Sequence, residues 1–539
     1  MEHIAYDILV LGSGGAGISA AITACKAGFS TGVISRGNPG KFTCTAYSAG
    51  VMAGSAAPDD CRDHLERTLM AGRGLNDPDL ADILASESPL RLQELMDWGI
   101  QAEYQNGWLY AKGRPPFKGD AIIRCLLNKS RALGVHFKGH LLASDLLVDE
   151  GALGILALDQ TSGKWTAFTA GAVILATGGS AALYRRHDNP THMLGDGYRL
   201  AFEAGALLQD MEFVQFYPLC LAEPGSPPLV IPPKLADLGK LVNSAGEDIH
   251  EKYDIHERPA GEKARDRLSQ AMMREIHPEN QAIWLDLRAV SEAGWHIDPF
   301  SAELKDLLGG RYGAFNRPVR VAPAAHHVMG GVKSDAWGAT GMAGLLAAGE
   351  VTGGLHGANR AGGNALSDIL VFGARAGLAA ANHVRDAGRK SPLTLVKQLE
   401  ARSRQWECGP VDGLSVLAQL QSAMWENGGI IRNASGLSKA LNTVQQLVAE
   451  SSRAAHPVSG SALIRAIECR SALRVAGWIL EAALKRCESR GSHFREDFPL
   501  PDDAHWLGHL QVHQGSAGDN VWRFEPSGQS VTPSKAVPA

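Results

Sequence analysis

The sequence is short of several things, and each shortage removes a class of function. Its eight cysteines are scattered, and no two form a C-x-x-C pair. That argues against an iron–sulfur cluster or a structural zinc within the chain. Unpaired, scattered cysteines fit a reducing compartment. No apolar run reaches the roughly 18 residues of a membrane span. The opening MEHIAYDILVLGSGG enters a strand at once and leaves no room for a signal peptide. A cytoplasmic protein without direct membrane insertion is expected. Charge of one sign is also missing: 52 Lys and Arg stand against 57 Asp and Glu, a net of −5. There is no electrostatic case for nucleic acid. Internal repeats are absent.

What remains is a chain of 539 residues with 61 glycines, long enough for about two to four domains. Many of the glycines fall in short clusters. The stretch YDILVLGSGGAGISAAITACKAGFSTGVISR reads as strand, glycine turn, helix and strand. Gly12, Gly14 and Gly17 form G-x-G-x-x-G, with Gly15 and Ala16 between the last two. The first glycine permits the tight turn, the second lets a pyrophosphate approach, and the third packs helix on strand. The helix N-terminus then faces the phosphates. Dinucleotide binding follows from this context more than from the motif alone. The second strand ends in Ser35-Arg36 rather than an acidic residue, so this site does not separate NAD from FAD.

AGAVILATGGSAALYRRHDNP (171–190) and GLLAAGEVTGG (344–354) each run a strand into a small-residue turn, where ligands collect in open α/β sheets. They bring Ala176, Thr177, Gly178 and Glu350 to that edge. Between them, EPGSPPLVIPPK reads as a linker into a smaller α+β unit. From about 390 to 490 the pattern is helical, and Ile464, Ile467, Leu473, Ala476, Ile479 and Ala483 track one face of a helix. The last 25 or so residues are polar with Gly, Ser and Pro, and partial disorder is expected there.

Five stretches, in order from residue 7 to about 500, resemble the flavoprotein subunit of succinate dehydrogenase and fumarate reductase, a family that includes L-aspartate oxidase and adenylylsulfate reductase. They are GSGGAG with ISR; ATGG…NP…GDGYRLAFEAGA…DMEFVQF; HHVMGG; AAGEVTGGLHGANRAGGNALSDILVFG; and RCESRGSHFREDFP. The resemblance implies an α/β fold: a discontinuous Rossmann-like FAD-binding domain (1–235 and 321–389), an inserted α+β capping domain (236–320), a C-terminal helical domain (390–500) and a tail (501–539). It implies FAD, with Asp196 and Glu350 contacting it and Ala365 and Leu366 near its ring system. Many family members attach FAD to a histidine. Here KFTCTAYSAG puts Cys44 in that place, beside Thr45 and ahead of Gly50. A small buried cysteine is the expectation, so non-covalent FAD is expected.

The family moves a hydride between flavin and one carbon of a dicarboxylate, and a proton at its neighbour. That chemistry needs cations for the carboxylates and a proton donor. The resemblance casts Arg265 as the proton donor and His326 and Arg360 as carboxylate clamps. Metal binding by His326 and His327 is not expected, because neighbours on an extended segment point opposite ways. Met329 and its glycines are expected to pack against the flavin. The other end departs from the family. QFYPL places Tyr217 where a substrate-binding histidine would be, and IPPKLADLGK places Ile231, Pro232 and Leu235 where a Thr, a Glu and an Arg would be. Lys234, Asp237, Lys240 or water would have to carry protons instead.

Three readings stay open at this point. One is an oxidoreductase acting next to a carboxylate or carbonyl on a substrate whose second end is not a simple carboxylate. Another is a fumarate reductase, succinate dehydrogenase or L-aspartate oxidase with a compensated pocket. The third is an electron-transfer subunit of an iron–sulfur complex. The chain has one G-x-G-x-x-G in a strand–helix setting and no cluster cysteines, so an iron–sulfur protein or other redox partner is expected beside the small-molecule substrate.

Overall fold

The computed structural model describes residues 1–54, 61–149, 152–277, 281–387, 393–406, 408–409, 412–453, 456–457 and 460–527. Strand Glu2–Leu11 pairs in parallel with Thr31–Ile34 on one side and with Trp165–Leu175 on the other. The seven-stranded sheet continues through His136–Lys138 at one edge and Ala152–Asp159 and Leu141–Asp149 at the other. Trp165–Leu175 changes partner along its length. Its first half pairs antiparallel with Ala152–Asp159, and its end pairs in parallel with Leu345–Ala347. The carboxyl ends of four parallel strands, at Leu11, Ile34, Leu175 and Ala347, therefore meet along one edge, where an open α/β sheet places its ligand crevice.

Helix Gly15–Lys26 covers this sheet together with helix Asn364–Ala387. The two helices cross closely because Gly377 meets the Ala20 carbonyl, where any side chain would collide.

The inserted unit is built on a four-stranded antiparallel sheet, Val214–Leu221, Val319–Val328, Ile283–Asp286 and Lys240–Val242. Its first two strands lead the chain in and out. Strand Val319–Val328 straddles the expected boundary at residue 320, so the cap shares its hinge strands with the larger unit. Helices Ala260–Lys263, Arg265–Ile276 and Pro299–Asp306 complete the cap around Leu219, Leu235, Leu268, Leu285 and Trp295, all buried.

Helices Gly413–Asn427, Ala434–Arg453 and Ser461–Lys485 pack together. The last was expected to bury one face. It is buried on more than one, with Val475, Trp478 and Leu480 also inaccessible, because it lies between its two neighbours and helix Asp196–Glu203.

Part of the polar tail is ordered. Gly508–Gln514 and Asn520–Pro526 form a hairpin that joins Leu208–Gln209 and Gly331–Val332. Its outer strand is largely exposed, which is why it read as unstructured, yet Trp522 donates to Glu481 (2.8 Å). Residues 528–539 of that tail lie outside the described residues. Just before the hairpin, the buried Arg486 guanidinium bonds Glu212 (2.5 Å) and Glu488 (3.0 Å), tying the C-terminal segment to the FAD-side unit. Among the described residues, no helix is long and apolar enough to cross a membrane.

Candidate active site

A cleft of about 400 Å³ opens along the carboxyl edge of the parallel sheet and runs under the cap, within the size range of small-molecule sites. The residues expected to hold FAD line it except Gly17, which lies beneath, and so do Tyr217, Arg265, His326 and Arg360. A side chain on Gly12 (φ +110°) would strike the Ala176 carbonyl, and one on Gly17 would strike the Gly12 carbonyl. At Gly14 the corresponding space is open, with Thr45 Oγ1 3.9 Å and Thr43 Cβ 4.0 Å away. The three glycines thus divide the roles of tight turn, ligand approach and helix packing.

Helix Gly15–Lys26 begins at Gly14, which has no side chain to cap it; the Gly15 N–H donates to Thr45 Oγ1 (3.2 Å), and the helix start borders the cleft as an anion site. Thr177 Oγ1 and Asp196 Oδ1 are buried on the cleft wall with no hydrogen-bond partner. A helix start at the cleft and orphaned polar atoms are what a bound dinucleotide would satisfy.

Ser35 Oγ donates to the Gly37 carbonyl (2.8 Å), so its proton is used within the turn. Arg36 is held by Asp196 (3.5 Å) and Glu468. Glu350, at the end of the Leu345–Ala347 strand, accepts from the Val328 N–H (3.1 Å), and burial pushes its carboxyl up to about 7. Cys44 is a free thiol whose sulfur bonds Asn189 Oδ1 (3.2 Å). Burial, reinforced by Glu350 and Asp188, pushes that thiol well up.

Further along, the cleft becomes cationic. Arg360 donates to Gln215 Oε1 (2.9 Å) and to the Ala361 carbonyl (3.1 Å), and its Nε is buried without a partner. Arg265 starts helix Arg265–Ile276 and donates to the Arg360 carbonyl (3.2 Å) and the Gly261 carbonyl (3.2 Å). Burial, aggravated by the Arg265 charge, lowers Arg360 to about 9. Burial also lowers Arg265, against the pull of Tyr217 and Glu262. Neither arginine has a carboxylate partner among the described residues. Two buried guanidiniums beside an unsatisfied N–H await an anion.

His326 completes this end. Its Nδ1 lies 2.6 Å from Asp188, which accepts the ring proton, and Asn189 donates to its carbonyl (2.9 Å). Burial lowers its basicity, opposed by Asp188. His327 turns away toward His356 (ring centroids 5.2 Å) and Glu350 (3.7 Å).

The adjoining wall is largely apolar, with the Arg265 guanidinium 5.3 Å over the Tyr217 ring. Tyr217 pairs with Ala324 across the hinge strands, and its ring lies 5.5 Å from that of His326. Its hydroxyl donates to the Ile231 carbonyl (2.9 Å), and burial raises it far above its ordinary value. Ile231 and Leu235 are wholly buried in the cap core with Tyr110, Leu229 and Phe300.

The first two-thirds of the chain, residues 7–366, match the FAD-binding domain family, and residues 417–535 match the fumarate reductase flavoprotein C-terminal family. A fumarate reductase (CoM/CoB) subunit of Methanothermobacter marburgensis is 34% identical over 531 residues, covering 93% of this chain and 96% of that protein. L-aspartate oxidase of Streptomyces coelicolor is 33% identical, covering 94% and 91%. The chain belongs to the fumarate reductase and succinate dehydrogenase flavoprotein family. A solved quinol–fumarate reductase chain superposes with a TM-score of 0.88 at 28% identity, over 99% of this chain and 100% of that one. As a family member the chain is an FAD-dependent oxidoreductase.

Within this flavoprotein some expectations need correction. Met329 does not reach the cleft. It packs with Leu75, Phe213 and Ala358, and Gly330 and Gly331 are needed against the Asp210 and Val351 carbonyls. Of the suggested proton carriers, Lys234 lines the cleft and pairs with Asp298 (3.5 Å). Asp237 instead accepts from the Ala260 N–H (3.2 Å), and Lys240 is exposed on the outer cap strand, so neither lines the cleft. Asp188, Glu262 and Asp298 do line it and went unnamed. Only Asp188 carried a signal, its place in HDNP just after the Gly-Gly turn.

Proposed function

We propose that this flavoprotein transfers a hydride between non-covalently held FAD and a C–C or C–N bond next to a carboxylate or carbonyl, in a substrate whose second end is not a simple carboxylate. The supporting observation is the asymmetry of the cleft: two arginines without carboxylate partners at one end, and the Tyr217–Ile231 pair at the other. The net change is one hydride at one atom and one proton at its neighbour, gained or lost together.

Bound FAD supplies the two-electron chemistry. Gly12, Gly14, Gly15, Ala16, Ala176, Thr177 and Gly178 would cradle it, with Asp196 and Glu350 taking its hydroxyls. Arg360 grips the substrate carboxylate, which a guanidinium can do bidentately. His326 adds a second contact, oriented by Asp188. Their charge draws electrons from the bond to be reduced. Arg265 delivers or receives the proton. Guanidinium is a poor acid in water, but burial beside Arg360 loosens its proton. Tyr217 and the cap core exclude water from the other side.

The high-lying Cys44 thiol is a poor nucleophile toward the flavin, so denaturation should release all FAD into the supernatant. Electrons would pass to an iron–sulfur protein or other redox partner in the cytoplasm. The test is turnover of fumarate, succinate and L-aspartate by the holoenzyme. All three should run at least about 100-fold below the enzymes dedicated to them. Rates matching those enzymes for any of the three would sink this reading in favour of a compensated dicarboxylate pocket.

A further inference from the structure

The charges that line the cleft can be followed one by one. Five basic side chains reach it: Arg36, Lys41, Lys234, Arg265 and Arg360. Arg36 is taken by Asp196 and Glu468, Lys41 by Asp120 (3.1 Å) and Lys234 by Asp298 (3.5 Å). The histidines that line it, His192, His326 and His327, are all driven toward the neutral form by burial. That leaves Arg265, which donates to the Arg360 main-chain carbonyl and is assigned to the proton, and Arg360, the one cation left to grip an anionic group.

Beyond them the wall is Tyr217, Tyr110, Leu229 and Phe300, four members of one buried apolar cluster that also line the cleft. The Tyr217 hydroxyl is turned away to the Ile231 carbonyl. The Arg265 guanidinium lies 5.3 Å over the Tyr217 ring, and the carboxylates that act on this wall are Asp298 and Glu262 on Tyr110 and Glu262 on Tyr217. A second carboxylate here would find only Arg265, already assigned to the proton, among carboxylates and aromatic rings. Unpaired buried charge is strongly disfavoured, and aromatic walls favour an apolar or ring substituent.

We propose that the substrate is a monocarboxylic 2-enoate, or the saturated acid it yields, whose far substituent is neutral and apolar, best filled by an aromatic ring. This rests on the hydride-transfer reading above and narrows it to a substrate class.

The experiment uses the FAD-loaded enzyme, reduced anaerobically with reduced methyl viologen and reoxidised with one of four probes: cinnamate, crotonate, the monoamide of fumarate, and fumarate. Cinnamate should lead in kcat/KM, crotonate should follow, and fumarate should lie on the order of 100-fold below cinnamate. If the monoamide leads while fumarate stays slow, the apolar end is wrong and the broader reading stands. If fumarate leads, or if none of the four reoxidises the flavin, both fall. A Phe300→Ala variant guards against coincidence. Its kcat/KM for cinnamate should drop about tenfold and that for crotonate by less, while full FAD occupancy and an unchanged unfolding midpoint report that the fold is intact. An equal drop for both probes would remove Phe300 from the far wall and overturn the assignment.

Discussion

The two ends of one cleft follow opposite physical rules. At the Arg265–Arg360–His326 end, charge is buried and left without counter-charge, a state that persists only because the backbone carbonyls of Gly261, Arg360 and Ala361 and the Gln215 amide take some of the N–H groups. At the Tyr217–Ile231 end the tyrosine hydroxyl is bonded to the Ile231 carbonyl and the wall is largely aromatic and aliphatic. The first end stores unfavourable electrostatic energy that a ligand anion relieves, and the second is walled chiefly by rings and aliphatic side chains. A protein built to hold two carboxylates would store it at both. The difference therefore bears on which half of the substrate the protein recognises by charge and which by shape.

The comparison breaks most easily at Arg360. Arg360→Ala should lower kcat/KM by roughly 1,000-fold, at the upper end of what one lost transition-state contact costs, while the FAD spectrum stays unchanged. Arg360→Lys should recover little, since a point charge cannot reproduce the planar fork. Loss of bound flavin in either variant would move Arg360 from the substrate to the cofactor.

His326→Ala should cost less, about 100-fold, again with FAD retained. Asp188→Asn should fall between that variant and wild type, because it keeps a partner for the ring but loses the charge that orients it. Full activity in His326→Ala would take the imidazole out of the mechanism.

How much of this was legible in the sequence depended on the range over which each constraint acts. The glycine cradle was readable because tight turns and close backbone contacts leave no alternative residue at Gly12 and Gly17. The hinge strands brought Tyr217 and His326 together as their motifs suggested. Asp188 was missed because it meets His326 across 138 residues of chain, a pairing that local pattern cannot show. Met329 was misassigned for a related reason: its glycines serve backbone carbonyls of the fold, not a ligand. The C-terminal hairpin was hidden because an exposed edge strand has the same polar composition as a disordered tail.

A pH titration sharpens the contrast further. In the free cleft His326 is neutral at pH 7, because burial and the charges of Arg360 and Arg265 outweigh the pull of Asp188, with the Tyr217 ring alongside. Its Nδ1 proton is given to Asp188, so Nε2 has only a lone pair to offer. To donate to a carboxylate the ring must take up a proton, and the arriving anion favours that uptake. Carboxylate affinity should therefore be fully expressed below the ionisation of the free histidine, which lies below 6.5. It should then weaken by up to about tenfold per pH unit as pH rises above it. Binding of a carboxylate inhibitor, followed by flavin absorbance between pH 5.5 and 8, measures the slope. His326→Gln, which donates without titrating, should flatten it.

The smallest effect tests the other end. In Tyr217→Phe the Ile231 carbonyl loses its partner inside the cap, which should cost about 1 kcal/mol of stability. Chemical denaturation of the two holoproteins would read this as a lower midpoint at unchanged slope. Turnover of an apolar enoate should hardly change, because the ring, not the hydroxyl, faces the cleft. The opposite pattern, unchanged stability with activity down tenfold or more, would mean that the hydroxyl leaves Ile231 to touch substrate. The apolar end would then be a polar one in disguise, and the two ends of the cleft would obey the same rule after all.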